Sequence, residues 1–363
     1  MTSTNLLERK LLAYGQFEKR STTREHHHSG DVPILPRDGA EAEFWLVLAV
    51  DSGCRTTRRS AGAPAPPAKG RAFGQAQGDG PPIRLRATIG HHSPMTEPHG
   101  RVAWIAIAPV KSMALTFLDR ADVGLDGIPG DRAFAVIDEQ DRLVNGKRAG
   151  SLATIVAAHD AGAGTLSLRF PDGTAADGSV ALGDPIRPIF FGLERPAHLL
   201  DGPWDAALGA WSGQPLRLVA MDPGEGPDRG PTATLLSSAS LVDLATAGGA
   251  DGPLDRRRFR MTFGIDGVPA YTEDHWIGRD VRIGGTVVWV AGNVGRCAVT
   301  THDPDTGRPS FDTLHVLQHQ RGHLPTSEPL PFGAWAEVVT PGAVALGDPV
   351  DAVDGPSDTP PEY

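Results

Sequence analysis

Short runs in which apolar and polar residues alternate recur along the chain, most of them ended by glycine or proline. Residues 101–110 (RVAWIAIAPV) read as a buried strand stopping at Pro109, whose ring removes a backbone donor. Residues 132–138 (RAFAVID) alternate and, with DRLVNGKR after them, suggest a hairpin; residues 165–173 read as a strand and turn. The clearest signal is 281–292, which alternates on both sides of Gly284-Gly285, a pair suited to a two-residue hairpin loop. The string ALGDP occurs at 181–185 and 345–349, and each copy is expected to mark a tight turn leading into a strand rather than a repeat. Helical patterns are fewer. Residues 237–249 offer serine caps, apolar Leu241, Leu244 and Ala245, and a Gly-Gly stop, while 312–322 carry Leu314 and Leu317 ahead of Gly322. A strand-rich core with a few short helices favours a mainly β or α+β barrel over a doubly wound sheet.

Residues 1–94 have a different texture. A short helix near 6–14 and a strand at 44–50 are the ordered candidates, but 61–82 are rich in Ala, Pro and Gly without a sustained period and are not expected to pack. The expectation is that Met95 is the natural start and that 1–94 are a disordered leader or a spurious upstream extension. His26–His28 read as an exposed polar run, with metal binding as the alternative.

Composition narrows the function classes. The chain is 40% hydrophobic and 21% charged, as in a soluble globular protein. Its two cysteines exclude a disulfide framework, an all-cysteine zinc site and a cysteine-ligated iron–sulfur cluster. No apolar run approaches the ~20 residues needed to cross a bilayer, and no secretory signal opens the chain, so a cytoplasmic protein with no membrane partner is expected. The net charge of −10 divides into +4 over residues 1–94 and −14 over the rest. So acidic a body argues against nucleic acid as a partner. No glycine-rich nucleotide fingerprint follows any strand.

Four stretches could carry chemistry. Cys297 follows the 281–292 strands and precedes a polar turn, THDPDTGRP. Such a cysteine is either a small buried apolar group or a thiolate favoured by Arg296 and the loop amides, suited to a soft metal or an electrophile. Lys111 and Ser112 close the first strand, and Arg132 follows the Gly-rich turn GIPGDR. A lysine point charge, a hydroxyl and an arginine fork together would clamp a phosphate; separately they are surface charges. Ser237 and Ser238, at a predicted helix start, add hydroxyls and free amides for an anion, or merely a cap.

These same residues carry a resemblance. Residues 105–155 hold Pro109-Val110-Lys111-Ser112, Gly124-Leu125, Asp131-Arg132 and a hairpin with a basic end, and this stretch resembles the N-terminal β-barrel segment of MOSC proteins. Residues 257–307 hold Phe259-Arg260, Glu273-Asp274-His275-Trp276 and the Arg296-Cys297 signature with Thr300-Thr301, Asp303-Pro304 and Thr306-Gly307; they resemble the MOSC domain itself. The likeness runs in order from about Val102 to Val350 and implies a β-barrel MOSC core, with an N-terminal domain over 95–220, a MOSC domain over 221–352 and a disordered tail over 353–363.

The resemblance further implies a molybdenum cofactor (Mo-molybdopterin), with Cys297 as metal ligand and Lys111, Ser112 and Arg132 on the pterin phosphate. Ser237, with Ser238 beside it, and Arg260 would touch the cofactor, and Arg296 belongs to the signature. Where the family has Arg-Pro-Asn, this chain has Arg260-Met261-Thr262, so the asparagine contact is lost or passes to the Thr262 hydroxyl. Trp335 stands where a late tyrosine is usual. His302 and Asp303 near Cys297 are read either as a proton relay or as loop-forming hydrogen bonds. The implied activity is reduction of small N-hydroxylated substrates. With no cysteine to spare for a fused ferredoxin, electrons would come from a separate donor, a ferredoxin or a cytochrome b5-like protein. Two alternatives stand beside this: a carrier of cofactor or sulfur using Cys297 as ligand or persulfide, and a different phosphate-bearing cofactor with Lys111 as a Schiff-base amine.

Overall fold

Seven strands close into a barrel. In order around the ring they are Gly100–Ile107, Phe263–Asp266, Ala233–Ser237, Pro331–Thr340, Thr286–Gly295, Asp280–Ile283 and Pro349–Ala352, which pairs back to Gly100–Ile107. This computed structural model describes residues 100–225, 232–326 and 328–353, so the readings made for 1–94 and for most of the C-terminal tail lie outside the described residues. The barrel is filled by the inward members of each alternating strand, among them Ile105, Leu235, Phe263, Ile265, Val281, Ile283, Val288 and Val290. Closure leaves the ring no open edge.

Six of the seven pairings around the ring are antiparallel, and one, Ala233–Ser237 beside Phe263–Asp266, is parallel. A parallel pair cannot be joined by a tight turn and needs a crossover. Helix Ser238–Ala247 and the 3-10 turn Arg256–Phe259 lie on that crossover. The helix begins where the strand ends because the Ser237 hydroxyl accepts the Ser240 amide at 3.1 Å. Its apolar face, Leu241, Leu244 and Ala245, packs outside the barrel with Trp104, Phe259 and Phe332.

A second layer comes from the N-terminal half. Phe134–Ile137, Arg217–Met221, Ala197–Asp201 and Ala181–Ile186 form a four-stranded antiparallel sheet, and Val156–Asp160, Thr165–Arg169 and Ala175–Ser179 form a meander. Helix Trp204–Ser212 is anchored by the fully buried Trp204 and Leu208, in a core with Met113, Leu152 and Leu168.

The predicted hairpin about Gly284-Gly285 is present, with Ile283 facing Thr286, Val281 facing Val288, and Gly284 at φ +55°. Helices capped by Ser237 and Asp312 are present at Ser238–Ala247 and Thr313–Arg321. The hairpin drawn through 132–148 is present but short, held by the bridge Ile137–Leu143 and by the Asp138 and Val144 amides donating to the Arg142 and Val136 carbonyls at 3.0 and 2.8 Å, while the other edge of Phe134–Ile137 forms the longer ladder with the distant Arg217–Met221. Two expectations change. The first ALGDP copy is part of a strand, tolerated with its proline because that strand lies at the sheet edge. And residue 220 does not separate the strands of two domains. Gly100–Ile107 closes the C-terminal barrel and Arg120–Val123 pairs with Gly342–Ala345, so the N-terminal segment supplies strands to the fold beyond it.

The closing seam is tight. Gly264 faces Trp104 across it, and a Cβ at 264 would lie 1.9 Å from an indole carbon. Gly264→Ala should therefore destabilise the protein by about 1–3 kcal/mol, the usual cost of overpacking, seen as a lower urea midpoint. Gly252→Ala, where an added Cβ meets nothing within 4 Å, should leave that midpoint in place.

Candidate functional site around Cys297

Strand Thr286–Gly295 leaves the barrel at Arg296, and Cys297 opens the 3-10 turn Ala298–Thr301 in an extended conformation, φ −131° and ψ 177°. Its carbonyl accepts the Thr300 amide at 3.1 Å and the Thr300 hydroxyl at 3.0 Å. The backbone is thus fixed on one side while the residue stays half-exposed. It is no core residue.

Two buried arginines secure this turn. Arg296 gives Nε to the Phe332 carbonyl at 2.8 Å, Nη1 to the Phe259 carbonyl at 3.0 Å and Nη2 to Met261 Sδ at 2.9 Å. Burial pulls its pKa down to about 9, against the opposing pull of Cys297 and Glu273, and leaves it cationic at neutral pH. Arg258 gives Nη1 to the carbonyls of Thr301 at 3.0 Å and His302 at 2.6 Å, and Nη2 to the Ser310 hydroxyl at 2.6 Å. Both guanidiniums bridge the Arg256–Phe259 turn to segments flanking Cys297.

The N-terminal half meets this turn directly. Ser112 Oγ accepts the Gly146 amide at 3.1 Å, and Gly146 lies so close to Val299 that a Cβ there would be 3.3 Å from Val299 Cγ2. Gly150 abuts the His302 imidazole in the same way, 2.7 Å from Nδ1 to a built Cβ. Arg132 Nη2 donates to the Arg260 carbonyl at 3.3 Å. Its guanidinium is also ion-paired with Asp131, whose other oxygen accepts the Ala108 amide at 2.7 Å. Lys111 is largely buried, with Nζ 5.5 Å from the centre of the Phe191 ring. Ser112, Arg132 and Arg260 all hold left-handed backbone, at φ +71°, +52° and +55°. L-residues with bulky side chains rarely adopt that region.

The other sequence candidates are distributed differently. Ser237 is completely buried, shares a 2.7 Å hydrogen bond with the Ser240 hydroxyl, and belongs to the frame as a helix cap; Ser238 beside it is partly exposed. Thr262 is buried with its hydroxyl 3.1 Å from that of Thr234, so it is occupied inside the barrel wall. Arg296 is committed to carbonyls, as described. These three brace the site, because their polar atoms are enclosed and partnered by protein. Asp303 Oδ1 accepts the amides of Asp305 at 3.1 Å and Thr306 at 3.0 Å and the Thr306 hydroxyl at 3.1 Å, the loop-forming alternative. Trp335 is half-buried, its indole over Gly292.

Sequence reading missed Arg258 and Glu273. A run of three arginines before Phe259 looks like a solvated charge cluster, and only the spacing of the turn buries the third. Glu273 was visible in the Glu-Asp pair but had no role. It is fully buried, and its Oε1 accepts from the Ser240 hydroxyl at 2.9 Å. Burial first, then the neighbouring Asp274, pushes its pKa up; the hydrogen bonds from its own amide, the Ser240 hydroxyl and the Ser237 amide pull the other way. The folded protein therefore keeps a proton that the unfolded chain releases, and stability falls as pH rises past the ordinary glutamate range. Glu273→Gln should flatten that decline: the drop in melting temperature between acidic and mildly alkaline buffer should be smaller than in the wild type. Arg258→Lys should cost about 1–3 kcal/mol in chemical denaturation, since an ammonium cannot reach all three acceptors that the fork serves.

Residues 99–187 match the MOSC N-terminal beta barrel domain and residues 230–351 match the MOSC domain. Among curated proteins, the chain is 26% identical to human mitochondrial amidoxime-reducing component 1 over 283 residues, 69% of this chain and 82% of that one. It is 27% identical to the Xenopus laevis protein of the same name, over 69% and 81% of the two chains. Human mitochondrial amidoxime reducing component 2 is 33% identical over a shorter stretch, 32% of this chain and 35% of that one. Among solved structures, the YUAD protein of Bacillus subtilis aligns over 69% of this chain and 94% of its own, with 15% identity and a TM-score of 0.32. With both family domains in order along one chain, and a strand from the first closing the barrel of the second, this protein belongs to the MOSC family.

Proposed function

We propose that this protein binds a molybdenum cofactor through Cys297 and reduces N-hydroxylated small molecules with electrons from a separate donor protein. The observation that carries the proposal is where the backbone is strained. Of seven described non-glycine residues in left-handed conformation, three are Ser112, Arg132 and Arg260, the residues that the family likeness assigns to the cofactor. Each such position costs about 1–3 kcal/mol, and strain of this kind gathers at ligand clamps and active sites.

The side chains present fit the group. Cys297 offers a soft, half-exposed sulfur, and a soft thiolate suits such a metal. Lys111 supplies a compact positive charge and Arg132 a planar fork, the pair suited to a phosphate; Asp131 holds the fork in place through its ion pair. Arg260, whose backbone carbonyl accepts from Arg132 Nη2 at 3.3 Å, is the third basic residue of the set. When bound, the cofactor supplies redox chemistry that the side chains themselves lack. The protein's part is to fix Cys297 on a turn clamped by Arg258 and Arg296, to position the anionic end, and to present the substrate. Asp303 shapes the loop through the bonds that its Oδ1 accepts. His302, packed against Gly150, brings an imidazole next to that turn and is assigned to proton handling.

The names of the relatives, amidoxime-reducing components, support the substrate class. A total of two cysteines in the chain supports an external electron source.

Protein made in a cofactor-competent host should contain molybdenum and pterin and should reduce benzamidoxime when given a reduced ferredoxin or cytochrome b5. Cys297→Ala should abolish turnover. Arg132→Met should weaken pterin retention by about tenfold to a hundredfold, as for a lost charge-assisted hydrogen bond. Wild-type protein free of molybdenum from such a host would refute the proposal. Cyanide-releasable sulfur on Cys297 without turnover would replace it with the carrier alternative.

A further inference from the structure

Helix Thr313–Arg321 stands behind the Cys297 turn, tied to it by the Thr313 hydroxyl, which donates to the Thr300 carbonyl at 2.8 Å. Thr313, Leu317 and Arg321, four residues apart, form its buried face. The opposite face carries His315 and His319, also four apart and both exposed. Residues at i and i+4 stand over one another on a helix surface, and here the two imidazole centroids are 4.5 Å apart with their planes at 75°.

That separation can be compared with coordination chemistry. A ring nitrogen bound at about 2.05 Å places the imidazole centroid about 3.2 Å from the metal. Two cis imidazoles at a right angle then have centroids about 4.5 Å apart, and at a tetrahedral angle about 5.2 Å apart. The observed spacing fits the right angle. Square-planar and tetragonal nitrogen sites are those of copper(II) and nickel(II), which imidazole suits. Rings packed edge to face at this distance need only turn their nitrogens towards a common point, and their exposure leaves them free to do so.

From this pair we infer a two-histidine binding site for a divalent transition metal, copper(II) or nickel(II) in preference to zinc(II), on the outer face of helix Thr313–Arg321. It is separate from the site around Cys297 and independent of the function proposed there. Among the described residues no cluster of three ligating side chains forms. His323, four residues further on, lies beyond the Gly322 cap and does not join. The remaining coordination positions are therefore left to water or to an incoming ligand.

The test uses the full chain with its thiols alkylated and His26, His27, His28, His91 and His92 changed to alanine, so that the thiols and the other runs of adjacent histidines do not compete. Titration with copper(II) followed by electron paramagnetic resonance should show a bound species coupled to two equivalent nitrogens. Calorimetry should give one nickel(II) site, weaker than copper(II) and tighter than zinc(II). His319→Ala and, separately, His315→Gln should each weaken uptake by at least about tenfold through loss of the chelate, with the circular dichroism spectrum unchanged. Undiminished two-nitrogen binding in the double variant His315→Ala/His319→Ala, or no uptake by the parent, would overturn the inference.

Discussion

The fold around Cys297 depends on guanidinium groups taken out of water and bound to main-chain carbonyls. Arg258 and Arg296 are both more than nine-tenths buried. Desolvating such a charge costs several kcal/mol unless its donors are satisfied. Here the acceptors are carbonyls of Phe259, Thr301, His302 and Phe332, which belong to two irregular turns and to the start of a strand. Those carbonyls have no regular ladder to join, so the arginines solve two problems together: buried cations gain partners, and irregular backbone gains donors. An apolar side chain of similar volume would fill the space and leave the carbonyls orphaned. A lysine would serve one of them.

This clamp has a larger counterpart in the way the chain closes its barrel. Because Gly100–Ile107 is a barrel strand, the segment following it, with Lys111, Ser112 and Arg132, is delivered straight from the barrel wall to the neighbourhood of Cys297. The contacts of Gly146 with Val299, of Gly150 with His302 and of Arg132 with Arg260 then lie along a seam between layers that share a strand. Interfaces between independent domains are expected to move. A seam stitched by a common strand holds charged groups in register with a thiol more than a hundred residues away in sequence.

What could be read from the sequence was what local interactions decide. The Gly284-Gly285 hairpin, the Ser237 cap and the inward alternation of Val281, Ile283, Val288 and Val290 each depend on neighbours within a few positions. The signature around Cys297 was legible for the same reason. Long-range pairing was not: nothing in residues 100–107 announces that they complete a ring with 263–266 and 349–352. Nor does composition show a charge's fate. Three adjacent arginines separate completely, Arg256 lying over Trp104 and Phe117, Arg257 pairing with Asp255 and Asp305, and Arg258 going into the interior. A 3-10 turn sends successive side chains about 120° apart, so neighbours in sequence become strangers in environment. Ser237 and Thr262 illustrate the converse. Their place in the family pattern drew attention to ligand contact, whereas a cap and a buried hydroxyl pair account for the positions they occupy.

Left-handed backbone occurs in both the scaffold and the candidate site, and what the strained side chains do tells the two apart. Where this fold needs left-handed backbone it ordinarily uses glycine, at fourteen described positions. Asp141 is a residue type that tolerates the region through its short polar side chain. Phe191, Tyr271 and Leu330 are left-handed too, but Tyr271 and Leu330 pack against the apolar cluster around Phe332 and the Phe191 ring lies by Lys111. Ser112, Arg132 and Arg260 have no such apolar role, and glycine at any of them would relax the main chain. Their side chains must then contribute something the fold alone does not require. Two of the three are cations, and all three lie on the seam beside the Cys297 turn, in a body whose net charge is strongly negative. Keeping positive charge on strained backbone, in an acidic protein, is a cost that folding does not recover and that binding an anion at this place would.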